Sequence, residues 1–184
     1  MVSCWPFFYF VHMETIHFDW FKSRDLDALL DYLTHLSPAT RKRFGPHAYD
    51  KASIEAFYTQ PFEVWAYLAK SLNDDSIAAY AIVKRGFLEH DRPRLEAYGL
   101  SLNQYTDCTF APSVADAWQG QGLGGRLFDF IQQDLQARGM HRMILWGGVQ
   151  AGNVPALRFY EKMGFQVLGA FEYEGENWDM VKEW

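Results

Sequence analysis

Residues 119–126 read Gln-Gly-Gln-Gly-Leu-Gly-Gly-Arg, with four glycines in eight positions. They stand between an extended segment and a run of helical spacing in which Leu123, Leu127, Phe130 or Ile131, and Leu135 share one face. A strand, a glycine loop and a helix in that order make an anion site. The first backbone N–H groups of a helix have no partner inside it, and the helix dipole puts partial positive charge there. Glycine then lets a phosphate approach with no Cβ in the way. The physical reading is a pyrophosphate cradle. A nucleotide P-loop would need Gly-Lys-Ser/Thr, whereas Gly124 is followed by Gly125 and Arg126. A dinucleotide fingerprint would sit near the start of a βαβ unit with an acid closing the next strand. This loop lies two-thirds of the way along the chain, and the apolar run that follows it, 141–146, ends without an acid.

Gln119-x-x-Gly122-x-Gly124 resembles the acyl-CoA signature Gln/Arg-x-x-Gly-x-Gly/Ala of the GNAT superfamily, the Gcn5-related N-acetyltransferases. Downstream, Asn153-Val154-Pro155-Ala156-Leu157-Arg158-Phe159-Tyr160-Glu161-Lys162-Met163-Gly164-Phe165 resembles that family's Asn…Ala-x-x-Phe-Tyr-x-x-x-Gly-Phe segment. The two stand in the family's order, about 30 residues apart, and the resemblance covers roughly residues 106–184. It implies a mixed α/β fold: a central, mostly antiparallel sheet with a splayed central strand pair and flanking helices. It also implies acetyl-CoA, or coenzyme A after transfer, as co-substrate. Gln119, Gly120, Gln121, Gly122, Leu123, Gly124, Gly125 and Arg126 would hold its pyrophosphate, Val114 and Ala115 would offer backbone to the pantetheine arm, and Asn153 would hydrogen-bond the cofactor. Asn153 has a plain reading too, as a helix-capping residue.

Along the chain, residues 15–21 suit a first strand and 25–36 a helix, with Ser37-Pro38 a break. Arg41-Lys42-Arg43 is a basic cluster that reads as a solvated face, with an acidic group to meet as the alternative, and 50–58 reads as a short helix. Residues 63–69 and 76–84 form a hairpin about Asn73-Asp74-Asp75. The charged connection 87–103 is long for a hairpin, and is read either as a lid or acceptor contact or as a surface excursion with a helical turn. Residues 106–115 are the central strand. Pro112 inside it cannot donate to a ladder and marks an edge, a bulge or a parting of strands. Gly139 and Gly164 stop helices, and 165–173 with 177–184 close the chain as a hairpin.

A chain of 184 residues and formal net charge −6 suggests one domain and argues against a general nucleic-acid or anionic-membrane surface. Residues 5–11 are apolar but too short to span a bilayer and lack a cleavage site. Residues 1–12 are therefore read as an N-terminal extension or mis-called start ahead of a single domain over 13–184. Two cysteines, Cys4 and Cys108, make a reducing cytoplasm the default. No metal is expected, and a homodimer is left open.

Acyl transfer to an amine needs a neutral amine, a donor for the developing oxyanion and a proton for the leaving thiolate. The resemblance implies Tyr160 as that acid. The base is open: Asp107 through a water, or Glu96 or His90 from the long connection. The resulting reading is N-acetyl transfer from acetyl-CoA to a primary amine of a small molecule or peptide. A protein lysine or N-terminus, or a non-catalytic acyl-CoA-binding module, are the alternatives.

Overall fold

The computed structural model describes residues 16–59 and 63–184. The expected N-terminal extension, Cys4 and the first residue of the expected first strand lie outside the described residues. Apolar residues alternate between two covered faces along β2 (Val64–Ser71), sending Tyr67 and Ala69 to one and Ala66 and Leu68 to the other. It pairs antiparallel with β1 (Ile16–Trp20) and with β3 (Ile77–Arg85), and β3 pairs antiparallel with β4 (Asp107–Val114). Next comes a parallel pair, β4 with β5 (Arg142–Leu145). The antiparallel β8 (Glu176–Glu183) follows, carrying both β6 (Val149–Gln150) and β7 (Gln166–Glu172). A parallel neighbour requires a crossover, and α5 (Leu123–Ala137) supplies it between β4 and β5.

Helices cover both faces of the sheet. On the first, α5 buries Leu123, Leu127, Phe128, Ile131 and Leu135 beside α6 (Val154–Lys162), in one cluster with Cys108, Phe110, Tyr160 and Phe165. On the second, α1 (Leu26–His35) and α3 (Lys51–Thr59) bury Leu29, Leu33 and Ile54 against Leu68, Tyr80 and Ile82. Both helices that lead away from the site end as the sequence foretold. The N–H of Met140 bonds the carbonyl of Leu135 around Gly139, and that of Phe165 bonds Tyr160 around Gly164, each glycine at positive φ.

One stretch differs from expectation, and a second takes the surface excursion with a helical turn over the lid. Ser37-Pro38 is not only a break. It starts α2 (Pro38–Arg43), with the Ser37 hydroxyl accepting from the Thr40 N–H and proline in the first turn, where its missing N–H costs nothing. The connection 87–103 carries α4 (Arg92–Ala97) and is docked rather than poised as a lid. Leu95 and Phe87 join Ile144 and Val181 in a third cluster, Arg94 pairs with buried Asp179 and Asp91, and Tyr98 lies where a Cβ on Gly169 would collide.

Candidate active site

The pairing of β4 with β5 runs only from Asp107 opposite Arg142 to Phe110 opposite Leu145. One more bond follows, from the Trp146 N–H to the Phe110 carbonyl at 2.9 Å, and then the chain turns away through Gly147 and Gly148. Gly148 has φ of 72°. A Cβ there would lie 2.8 Å from the Trp178 carbonyl and from the Phe171 ring, so no larger residue could make this turn unchanged. Beyond Phe110, β4 therefore has, among the described residues, a neighbour on one side only. Backbone groups alternate along a strand, and Phe110 faces β5, so Pro112 and Val114 face the opening as well. Pro112 thus sits where its missing N–H forfeits no ladder bond. The Val114 N–H points into the gap, while its carbonyl accepts from Gln119 Nε2 at 3.0 Å. Ala115 departs from expectation. Its N–H is turned the other way and donates to Ala78 at 2.9 Å, so it has none to offer a ligand in the gap.

After β4 a single 3-10 turn at Asp116–Trp118 leads into the glycine loop. Gly120 and Gly122 have φ of 71° and 78°, a conformation that favours glycine, and a Cβ on either would meet nothing. Gly122 caps α5 without a side-chain bond, and the first intrahelical bond arrives at Arg126, so the N–H groups of Leu123, Gly124 and Gly125 have no partner within the helix. That is an open anion cradle at the positive end of a helix. Gly124 has a different reason to be glycine. A Cβ there would lie 3.3 Å from the Phe159 ring and 3.6 Å from Val114, so it sets the closeness of α5 to α6. Gln121 folds back to donate to the Ala117 carbonyl at 2.7 Å, and Arg126 stacks over Phe18.

Gap and cradle open into one cleft of about 660 Å³. Of the residues singled out from sequence, Val114, Gln119, Gly120, Gly122 and Leu123 line it, as do Gly124, Gly125, Asn153 and Tyr160. Ala115, Gln121, Arg126 and Asp107 do not. Asn153 opens α6 but makes no capping hydrogen bond with its side chain, which leaves its amide available to the cleft. Tyr160 is packed between Phe159 and Phe165, with ring centroids at 5.2 and 5.4 Å. Burial alone pushes its phenol well above the ordinary range, so it stays protonated.

The three candidate bases stand apart. Asp107 lies at the other end of β4, seven residues from Val114, or roughly 20 Å along an extended strand. It is 2% exposed, accepts from the Asn103 N–H at 2.7 Å and from Arg142 at 3.3 Å, and pins the turn before β4. Burial raises its carboxyl while those two partners pull it down. His90 and Glu96 are on or beside α4, and neither reaches the cleft.

Several lining residues were not named as site residues in the sequence. Phe44, Ser113 and Trp146 form a wall on the second face, and Lys42, Arg43, Arg158, Lys162 and Glu174 are the charged groups of the rim. Trp146 was readable from the glycine pair that follows it, since a strand end turned so sharply exposes its last side chain. Lys42 and Arg43 were visible as part of the basic cluster, but their place on the cleft follows only once Ser37-Pro38 is taken as a helix start.

Comparison with known proteins places this geometry. The family model described as "Acetyltransferase (GNAT) family" matches residues 29–165. A mycothiol acetyltransferase from Corynebacterium glutamicum is 38% identical over 58 residues, 32% of this chain and 19% of that protein, so the chain matches about a fifth of its relative's length. Among solved structures, the GNAT domain of S. lividans PAT superposes with a TM-score of 0.69 at 16% identity, covering 91% of this chain and 89% of that one. The structure of yncA from Salmonella typhimurium with its cofactor acetyl-CoA gives 0.68 at 17% identity, covering 91% and 93%. At these identities the structural likeness speaks for the fold.

Proposed function

The chain belongs to the acetyltransferase (GNAT) family, and from that premise we propose that it moves the acetyl group of acetyl-CoA to a primary amine of a small molecule or peptide. Transfer is direct, through a ternary complex. The observation that carries this reading is the continuity of the gap between β4 and β5 with the unpartnered N–H groups at the start of α5. A ligand with an extended amide-bearing arm and a pyrophosphate needs both at once.

The residues fit such a ligand. The N–H groups of Leu123, Gly124 and Gly125 would hold the pyrophosphate, and the room over Gly120 and Gly122 lets phosphate oxygens approach the backbone. The Val114 N–H and Pro112 carbonyl would pair with the pantetheine arm, and the Asn153 amide would bond it from α6. When bound, acetyl-CoA supplies a thioester whose carbonyl carbon is the electrophile and whose sulfur is the leaving group.

The chain's own groups then serve the transfer. The protonated Tyr160 hydroxyl, on the wall of the same cleft, is the proton source for a departing thiolate. The nucleophilic nitrogen sheds its proton to solvent, since Asp107, His90 and Glu96 lie elsewhere. Loss of the hydroxyl in Tyr160→Phe should lower kcat by about a hundredfold, within the range of general acids, with the Kd for coenzyme A within twofold of wild type. Equal kcat in both proteins would remove Tyr160 from this role.

A further inference from the structure

Resting on that reading, we infer that Lys42 and Arg43 form an anion subsite at the acceptor mouth of the cleft, and that the amine acceptor carries an acidic group, carboxylate or phosphate, which they hold.

The first observation is how firmly α2 is placed. It is a six-residue helix that buries none of its own side chains, so packing alone would not fix it. Instead it is tied at both ends. Asp116, two residues past β4, accepts from the Ser37 N–H, the Ser37 hydroxyl and the Thr40 hydroxyl, each at 2.9 Å. At the far end the Tyr49 hydroxyl donates to the carbonyls of Phe44 and Arg41, and Phe44 is buried. The tether therefore runs directly from the segment that precedes the glycine loop, and it sets Lys42 and Arg43 on the rim of the cleft.

The second is their charge. Among the described residues no carboxylate lies in ion-pair range of either, whereas Lys22, Lys51, Lys70, Arg92, Arg94, Arg138 and Arg142 all have one. Other cations lack one too, Arg158 and Lys162 of the same cleft among them, so what marks Lys42 and Arg43 is that they stand side by side at the cleft mouth, on a chain of net charge −6. An arginine fork with an adjacent ammonium suits a carboxylate or phosphate.

The third is which side they are on. α5 and α6 pack on the first face of the sheet, and Arg158 and Lys162 of α6 stand with the phosphate cradle there. Phe44, which ends α2, packs with Trp146 on the second face. The gap between β4 and β5 connects the two. Lys42 and Arg43 thus reach the cleft from the second-face side, away from α6, and we assign that side to the approaching nucleophile. The group they hold belongs to the acceptor.

The test uses matched pairs of amines that differ in the acidic group: phenylalanine and 2-phenylethylamine, lysine and cadaverine, phosphoethanolamine and ethanolamine. Thiol release is followed with wild type, with the double variant Lys42→Ala/Arg43→Ala, and with Arg41→Ala, a control on the same helix that does not line the cleft. Calorimetry gives the Kd for coenzyme A of each. The best acceptor should carry the acidic group, with kcat/KM at least about tenfold above its partner, as expected for a lost charged hydrogen bond. The double variant should erase that ratio, leaving the Kd for coenzyme A unchanged, and Arg41→Ala should keep it. Three results would overturn the inference: equal rates within the pairs, no turnover of any acid-bearing member by protein that binds coenzyme A, or weaker coenzyme A binding in the double variant, which would assign the subsite to the cofactor. Failure of coenzyme A to bind wild type would instead remove the acetyltransferase reading beneath it.

Discussion

Tyr160 shows how one environment sets a residue's chemistry. Its ring fills the space between Phe159 and Phe165, and the same desolvation that makes the packing favourable disfavours the phenolate. A raised phenol holds its proton as pH rises through its ordinary value near 10, so the donor is not lost there. The pH profile of kcat should accordingly climb as the acceptor amine deprotonates and show no fall up to about pH 10. An alkaline limb with a midpoint near 8 or 9 would mean another acid. The glycines separate at the same scale. Gly122→Ala forces a left-handed alanine into open space, at about 1 to 2 kcal/mol, and should weaken coenzyme A binding with a modest fall in Tm. Gly124→Val instead drives into Phe159 and should lower Tm by several degrees, since overpacking costs about 1 to 3 kcal/mol. If both variants behave alike in melting and in calorimetry, this division is wrong. In the sequence all four glycines of the loop looked like one ligand device. The contact of Gly124 with α6 depends on a residue 35 positions away and is invisible to local reading.

Short elements carry much of the placement. α4 is held by Arg94, which bridges Asp179 and Asp91, exposed by 1% and 4%, and lies over the Phe171 ring. Removing the cation in Arg94→Met leaves two buried carboxylates uncompensated. The expected cost is about 3 to 5 kcal/mol, or a drop in Tm of roughly 10 °C for a chain of this length. A shift under about 2 °C would show that these carboxylates need no partner. α2 makes the complementary case. Asp116→Asn keeps the shape but loses the charge that gathers Ser37 and Thr40, so the acceptor KM should rise severalfold while the Kd for coenzyme A holds. Elements with strong periodicity, α1, α5 and the β2–β3 hairpin, were legible because an apolar stripe or alternation is written in the chain. α2 was not, since Pro-Ala-Thr-Arg-Lys-Arg has no apolar stripe, and its helix is decided by Ser37 reaching Thr40 and by Asp116 across the fold. Asp107 misled for the same kind of reason. A carboxylate on the central strand is visible in sequence, but which end of the strand faces the cleft is fixed by where β5 parts from it, past Phe110.

At the scale of the molecule, one interruption organises the rest. Among the described residues, six of the seven strand pairings are antiparallel. The exception, β4 with β5, is also the pair that separates, because a crossover helix must start between them and its glycine-rich entry keeps β4 free beyond Phe110. Gap, cradle and cleft are thus consequences of a single topological choice. The order of elements made that choice readable in advance, with Pro112 as its local mark, whereas the second-face wall of the cleft was not readable. It is assembled from α2, Trp146 and the β7–β8 turn, distant in sequence and joined only by the fold. The account's central claim is that this cleft transfers an acetyl group to an amine. The most direct test is stoichiometry: purified protein with acetyl-CoA and a panel of primary amines, following free thiol while mass spectrometry follows the acceptor. Amine-dependent thiol release matched one for one by an acceptor heavier by an acetyl group is the predicted result. Tight binding of acetyl-CoA with no amine-dependent release across the panel would contradict it.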